Sequence, residues 1–170
     1  MDQRFKYSKL ILYVKILLLT IGNTDKNYMK VGIDDYVKRL SYYLSFETKV
    51  IPDLKNRNTL SVEIQKEKEG QLILNHVIPG DFLILLDERG AEFSSLEFSK
   101  WIEKKMIAGT RQLVFVIGGP YGFSKMIYQR ADFKISLSQL TFSHQMVRLI
   151  FVEQVYRAMT IIRNEPYHHE

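Results

Sequence analysis

Cysteine is absent from all 170 residues. Its absence excludes disulfide bonds, thiolate catalysis and metal sites with cysteine ligands, and it suits the reducing cytoplasm. Other metal ligands are not favoured either, because the adjacent His168 and His169 seldom converge on one ion and no carboxylate spacing supports them. We therefore expect a cytoplasmic protein without a metal site.

The sequence also lacks a hydrophobic run long enough to span a membrane. The apolar stretch Leu10–Ile21 follows three basic residues, as the core of a signal peptide would. It is too short to cross a bilayer, Lys15 interrupts it, and no small-residue cleavage site follows. We interpret this region as an N-terminal leader, Met1–Tyr13, and a buried first strand, Lys15–Ile21. No contact with a membrane is expected.

No repeat, low-complexity tract or linker interrupts the chain, so we predict a single domain over residues 14–170. Hydrophobic residues make up 46% and charged residues 25% of the sequence, which is ordinary for a globular protein with a substantial core. The formal net charge of +5 favours polyanionic partners such as RNA. Charge alone does not decide this, because many basic proteins bind no nucleic acid.

Apolar runs with β propensity alternate with helix-period segments along the chain. Ser94 with Glu97 forms a capping-box pattern that marks the start of one helix. The order, a strand and then a helix five times over, predicts an α/β domain with a mainly parallel sheet. The predicted strands are Lys15–Ile21, Phe46–Ile51, Phe82–Asp87, Gln112–Gly118 and Lys134–Ser138. The predicted helices are Tyr28–Tyr43, Ser61–His76, Ser94–Ala108, a short segment after Ser124, and Ser143–Arg163. Predicted core-facing residues are Ile33, Tyr36, Val37 and Leu40 in the first helix, and Ile64, Leu72 and Ile73 in the second.

Parallel sheets bind ligands in the loops beyond the carboxyl ends of their strands. Three such loops here are Glu88–Gly90, Gly118–Phe123 and Leu137–His144. In the second loop the glycines allow the backbone to approach a ligand closely, and Pro120 stiffens the turn. This loop is neither a P-loop nor a GxGxxG dinucleotide motif. A plain strand-to-helix turn would have a similar composition, so that alternative stays open.

The third loop combines backbone donors and acceptors with apolar side chains, as an adenine pocket requires. It delivers His144 to a predicted helix N-terminus, four residues before Arg148, so that the two share a helix face. Histidine carries a proton near neutral pH, and arginine grips phosphate with its planar fork. The alternative is that His144 is a helix-capping or packing residue.

Longer motifs resemble a known family. They are FVIGGPYGF (Phe115–Phe123), LSQLTFSHQMVR (Leu137–Arg148) with EQVYRA (Glu153–Ala158), and NEPYHHE (Asn164–Glu170). These stretches resemble the RlmH family of SPOUT-class methyltransferases, which modify N3 of a pseudouridine in 23S ribosomal RNA. The segments IPDLKN and KEKEGQLIL fit as well, so that the resemblance covers Val14–Glu170.

The resemblance implies a SPOUT-type α/β knot, in which a mainly parallel sheet is flanked by helices and the C-terminal region forms a trefoil knot. It also implies a homodimer that uses S-adenosylmethionine as methyl donor. The implied cofactor-binding residues are Leu86, Gly118, Leu137, Ser138, Gln139, Leu140, Thr141 and Phe142. The implied catalytic or substrate-side residues are His144, Arg148, Tyr167 and His168.

We hypothesise a mechanism for these residues. His144, alone or with His168 from a partner chain, is expected to accept the proton of the target nitrogen. Arg148, Lys30 and Lys38 are expected to hold the RNA backbone. Since the chain has no separate RNA-binding module, the expected substrate is ribosomal RNA in an assembled ribosome. The alternatives are a SPOUT methyltransferase for another RNA position, a non-catalytic RNA-binding ribosome assembly factor, and a flavodoxin-like nucleotide protein.

One departure concerns the N-terminus, because members of the family usually begin near Lys15. We hypothesise that translation naturally starts at position 14. An intact mass of the native protein that includes Met1 would refute this hypothesis.

Overall fold

The computed structural model describes residues 14–168. The predicted leader, Met1–Tyr13, lies outside the described residues, as do His169 and Glu170. Within residues 14–168 five strands and five α-helices alternate, as the sequence predicts. The strands are β1 (Lys15–Ile21), β2 (Ser45–Ile51), β3 (Phe82–Glu92), β4 (Gln112–Ile117) and β5 (Phe133–Ser136). The helices are α1 (Asn27–Leu40), α2 (Val62–Leu74), α3 (Ser95–Ile107), α4 (Lys125–Arg130) and α5 (His144–Ile162).

All five strands join one parallel sheet in the order β2-β1-β4-β3-β5. This arrangement confirms the predicted α/β class. Because parallel strands end at the same edge of a sheet, the loops that follow β3, β4 and β5 meet there. The trefoil knot stays a prediction.

Helices cover both faces of the sheet and make two cores. Successive strand residues point to opposite faces, so Leu18 and Phe115 lie in one core while Leu19 and Val116 lie in the other. The first core contains residues of α1, α3 and α5, and the second contains residues of α2 and α4. In the first core the rings of Phe115 and Phe151 are 4.7 Å apart between centroids. The central strands are therefore covered on both sides, which explains their continuous apolar sequence.

Strand β3 is longer than the predicted Phe82–Asp87. Its pairing with β5 shifts register between Leu86 and Ala91, and the strand then continues to Glu92. The segment between these two points bulges out of the ladder. Gly90 lies close against β5, since a Cβ there would be 2.5 Å from backbone atoms of Ile135.

The predicted core face of α2 is partly wrong. Ile73 is buried, with 1% of its surface exposed, and Leu72 is half-buried, but Ile64 is 45% exposed. Gln65 and Glu69 are buried on the inner side instead, and the Gln65 amide donates to Glu69 Oε1 at 2.8 Å. This hydrogen bond lets a polar pair occupy a face that apolar periodicity alone cannot identify.

None of the helices within residues 14–168 has the length and apolar character needed to cross a membrane. The same residues contain no group of three His, Asp or Glu side chains arranged to hold a metal ion.

Ile73→Ala should lower the free energy of unfolding by about 2–4 kcal/mol, because it leaves a cavity in the second core. Ile64→Ala on the same helix is the matched control and should change it by less than about 0.5 kcal/mol. Urea unfolding followed by circular dichroism measures both values. Equal losses in the two variants would contradict this account of α2.

Candidate active site

A cleft of about 800 Å³ lies at the carboxyl ends of β3, β4 and β5. It brings together the end of β3, the glycine-rich loop and the loop before α5. All the predicted cofactor-binding residues line it: Leu86, Gly118, Leu137, Ser138, Gln139, Leu140, Thr141 and Phe142. His144 lines the same cleft. The three loops that the sequence singles out are therefore neighbours in space.

The glycine-rich loop forms one wall of the cleft in a tight turn. Gly122 N donates to the carbonyl oxygen of Gly119 at 3.1 Å, and Gly122 has a φ of 75°, which favours glycine. Gly119 packs directly against α2, because a Cβ there would lie 2.4 Å from Glu69 Oε2. The glycines thus serve a compact turn, and they also let the loop contact α2 closely.

Glu69 supports this wall from behind, and the sequence analysis did not identify it. Its side chain is only 4% exposed, and desolvation raises the pKa of its carboxyl group. The next residue, Gly70, is equally close to the loop, since a Cβ there would lie 2.5 Å from Ser124 Oγ. The Glu69–Gly70 pair therefore fixes the distance between α2 and the glycine-rich loop. In the sequence, the one signal for Glu69 is that it lies in the KEKEGQLIL segment, which fits the family resemblance.

The loop before α5 forms the opposite wall. Ser138 Oγ accepts from Leu140 N at 2.9 Å, and the Ser138 carbonyl accepts from Ser136 Oγ at 3.0 Å. The Gln139 amide donates to Glu92 Oε2 at 3.2 Å, which ties the loop to the extended part of β3. These hydrogen bonds hold the loop in a defined shape. Apolar side chains and backbone groups then face one cleft, as an adenine ring requires.

His144 is the first residue of α5 and faces the cleft. Ser143, not His144, caps the helix, since its Oγ accepts from Met146 N at 3.3 Å. The residue is exposed overall and belongs to neither core, and its ring is partly desolvated at the cleft. Desolvation lowers the pKa of His144 below 6.5, and the charge of Arg148 lowers it further. The alternative of a capping or packing histidine therefore has no support in the structure.

Arg148 lies behind the cleft and does not line it. Only 3% of its surface is exposed, and desolvation lowers the pKa of its guanidinium. The guanidinium donates to the carbonyl oxygen of Ile21 at 2.6 Å and to Thr24 Oγ1 at 2.9 Å. In this chain it holds the end of β1 and is not available to a phosphate. Lys30 and Lys38, by contrast, are exposed on α1.

Tyr167 and His168 pack on α1 and α5, away from the cleft that His144 lines. The Tyr167 hydroxyl donates to Glu153 Oε1 at 3.2 Å and lies 3.2 Å from the Tyr36 hydroxyl. Burial raises the pKa of Tyr167, and the Tyr36 hydrogen bond adds to the shift. His168 Nδ1 lies 3.3 Å from Arg157 Nη1. A single chain thus brings His144 to the cleft but leaves the described tail residues elsewhere.

Polar residues outside the predicted site set also line the cleft, among them Lys66, Asp87, Arg89 and Tyr128. The Tyr128 hydroxyl donates to Asp87 Oδ2 at 2.5 Å. Burial raises the pKa of Tyr128 to about 12, with a further contribution from this hydrogen bond. The phenol is therefore a neutral donor at physiological pH, and it fixes the end of β3 to α4.

Known proteins are similar to this chain over most of its length. The family described as "Predicted SPOUT methyltransferase" matches residues 14–168. Three relatives are named ribosomal RNA large subunit methyltransferase H, and each is matched over 157 residues, 92% of this chain and 100% of its own. They come from Parabacteroides distasonis (59% identical), Phocaeicola vulgatus (58%) and Flavobacterium johnsoniae (58%). The chain belongs to the SPOUT methyltransferase family.

A solved structure of a probable methyltransferase from Bordetella pertussis Tohama I is similar at 8% sequence identity and a TM-score of 0.49. The match covers 91% of this chain and 99% of that one. It adds nothing to the family assignment, which the sequence relatives establish.

Gly119→Ala should destabilise the protein by about 1–3 kcal/mol, because the new methyl group would overlap the Glu69 carboxylate. In the double variant Gly119→Ala/Glu69→Ala that overlap is gone. The double variant should therefore be no less stable than Glu69→Ala alone. Urea unfolding of all four proteins gives the coupling energy. Additive losses would show that the two residues do not press on each other.

Proposed function

We propose that this chain transfers a methyl group from S-adenosylmethionine to N3 of a pseudouridine in 23S ribosomal RNA. The observation that carries the proposal is the shared cleft, in which the glycine-rich loop, the Leu137–Phe142 loop and His144 meet. The names of the relatives, whose full length matches 92% of this chain, give the substrate class. We place the activity in the cytoplasm, on an assembled ribosome.

The residues of the cleft fit S-adenosylmethionine. Leu86, Ile117 and Leu137 offer apolar walls, and the adjoining loops offer backbone groups for the edge of an adenine. Gly118 leaves no room for a side chain, because a Cβ there would approach the Phe123 ring to 3.0 Å. When bound, S-adenosylmethionine supplies an activated methyl group on a sulfonium. The residues of the chain bind and orient the reactants, and they exclude water from the cleft.

His144 is the proposed general base. Its lowered pKa keeps the imidazole neutral at pH 7, so that a ring nitrogen is free to accept a proton. The N3–H bond of the pseudouridine breaks, the proton moves to His144, and N3 keeps the electron pair needed for methylation. The hydrogen bonds that hold the cleft walls keep the reacting groups aligned, which lowers the entropic part of the barrier.

A second copy of the chain is part of the proposal. Tyr167 and His168 pack on the outer side of α5 and do not line the cleft of their own chain. In a homodimer this tail can serve the cleft of the partner. Lys30 and Lys38, both exposed on α1, can contact RNA phosphates near such an interface.

Mass mapping of 23S ribosomal RNA from cells that lack the protein should show one methyl group missing from one pseudouridine. Calorimetry of the purified protein with S-adenosylhomocysteine should show saturable binding. Saturable binding with an unchanged 23S methylation pattern would point to another RNA position. No binding at all would favour a ribosome assembly factor.

His144→Ala should lower kcat by about 10²–10⁴-fold, the usual contribution of a general base, with little change in S-adenosylhomocysteine affinity. In the wild type kcat should fall at acidic pH with a midpoint below the ordinary histidine value of 6.5, because the base has a lowered pKa. His76→Ala is the matched control, since His76 follows α2 and lies outside the cleft. An unchanged kcat in His144→Ala would remove His144 from the mechanism.

A further inference from the structure

A second groove, of about 570 Å³, lies beside the cleft at the β5 edge of the sheet. Arg89 and Tyr128 line both cavities, so these two side chains form the wall between them. The groove has no part in the mechanism proposed above. Its position next to the cleft means that any long substrate that enters the cleft can extend across it.

The bulge of β3 creates this groove. Between Leu86 and Ala91 the strand leaves the ladder, and Asp87 Oδ1 accepts from Arg89 N at 2.9 Å, which shapes the turn. The other oxygen of Asp87 accepts from Tyr128, so the bulge is fixed to α4. Gly90 then brings the chain back against β5. The shared wall is therefore held by hydrogen bonds and close packing.

Two exposed basic side chains line the groove. The Arg89 side chain is 80% exposed, and its ion pair with Glu88 is long, at 3.9 Å. Lys134 is exposed on β5, with its Nζ 5.7 Å from the centroid of the Tyr128 ring. The acid that lines the groove, Asp132, already accepts from Leu83 N at 2.7 Å and from Arg130 at 2.9 Å. Its charge is thus compensated. Asp87, which accepts from Tyr128, and Glu88, which is the partner of Arg89, add negative charge at the shared wall. Lys134 lies beside the Tyr128 ring, on the groove side of that wall.

We propose that this groove binds a backbone phosphodiester of the RNA strand next to the target nucleotide, with Lys134 and Arg89 as its cationic contacts. The proposal rests on the proposed function, because it takes RNA as the substrate of the neighbouring cleft. A base inserted into the cleft leaves its flanking phosphates outside, and the strand then crosses the shared wall. Contacts of this kind fix the register of a strand without reading its sequence.

The test compares Lys134→Ala with Lys104→Ala, which removes an exposed lysine from α3 on the opposite face of the sheet. Affinity for purified ribosomes is measured by sedimentation at several salt concentrations, and methyl transfer is measured in parallel. Lys134→Ala should weaken ribosome binding about fivefold, and the slope of log affinity against log salt should fall by about one. Both kcat and S-adenosylhomocysteine affinity should stay unchanged, Lys134→Arg should restore binding, and Lys104→Ala should have no effect.

Unchanged affinity and salt slope in Lys134→Ala would overturn the proposal, as would an equal loss in Lys104→Ala. A fall in S-adenosylhomocysteine affinity would also overturn it, because Lys134 would then act through the cleft. Ribosome binding does not depend on methyl transfer. A wild-type protein that binds ribosomes but methylates nothing would therefore refute the proposed function. The contribution of Lys134 to ribosome affinity could still be measured in that case.

Discussion

Two hydrogen bonds from the buried guanidinium of Arg148 fix the geometry on which the cleft depends. They tie the second turn of α5 to the carbonyl oxygen of Ile21 and to Thr24, at the end of β1. Gln145 adds a second tie, since its Oε1 accepts from the backbone of Asp25 and Lys26 at the start of α1. A buried cation that loses its partners is costly, so α5 has one favourable position relative to the sheet. His144, adjacent to Gln145, is placed by the same contacts.

Close packing against α2, rather than charge pairing, fixes the wall of the cleft that the glycine-rich loop forms. Glu69 and Gly70 press on Gly119 and Ser124, and neither glycine leaves room for a Cβ. The glycine-rich loop cannot move toward α2, while the Leu137–Phe142 loop is held by Ser138 and by Glu92. Contacts within the chain therefore hold both walls of the cleft in place.

The sequence predicted the order and class of the elements because buried parallel strands and amphipathic helices have distinct apolar periods. Apolar periodicity failed to predict the structure where tertiary contacts decide which residues are buried or how a strand pairs. Gln65 and Glu69 replace Ile64 on the inner face of α2, and the bulge of β3 depends on its pairing with β5. The shared helix face of His144 and Arg148 was a sound expectation. Residue spacing alone, however, cannot show that Arg148 is buried against the end of β1 while His144 stays exposed.

The placement of His144 explains how a histidine beside a buried arginine can serve as a base. Partial desolvation of the ring and the charge of Arg148 both disfavour the protonated imidazole, and the N-terminus of α5 acts in the same direction. The ring is therefore a weaker base than free histidine, and its neutral form is favoured at pH 7. The interaction that positions the helix thus also favours the neutral imidazole that the proposed role of His144 as a base requires.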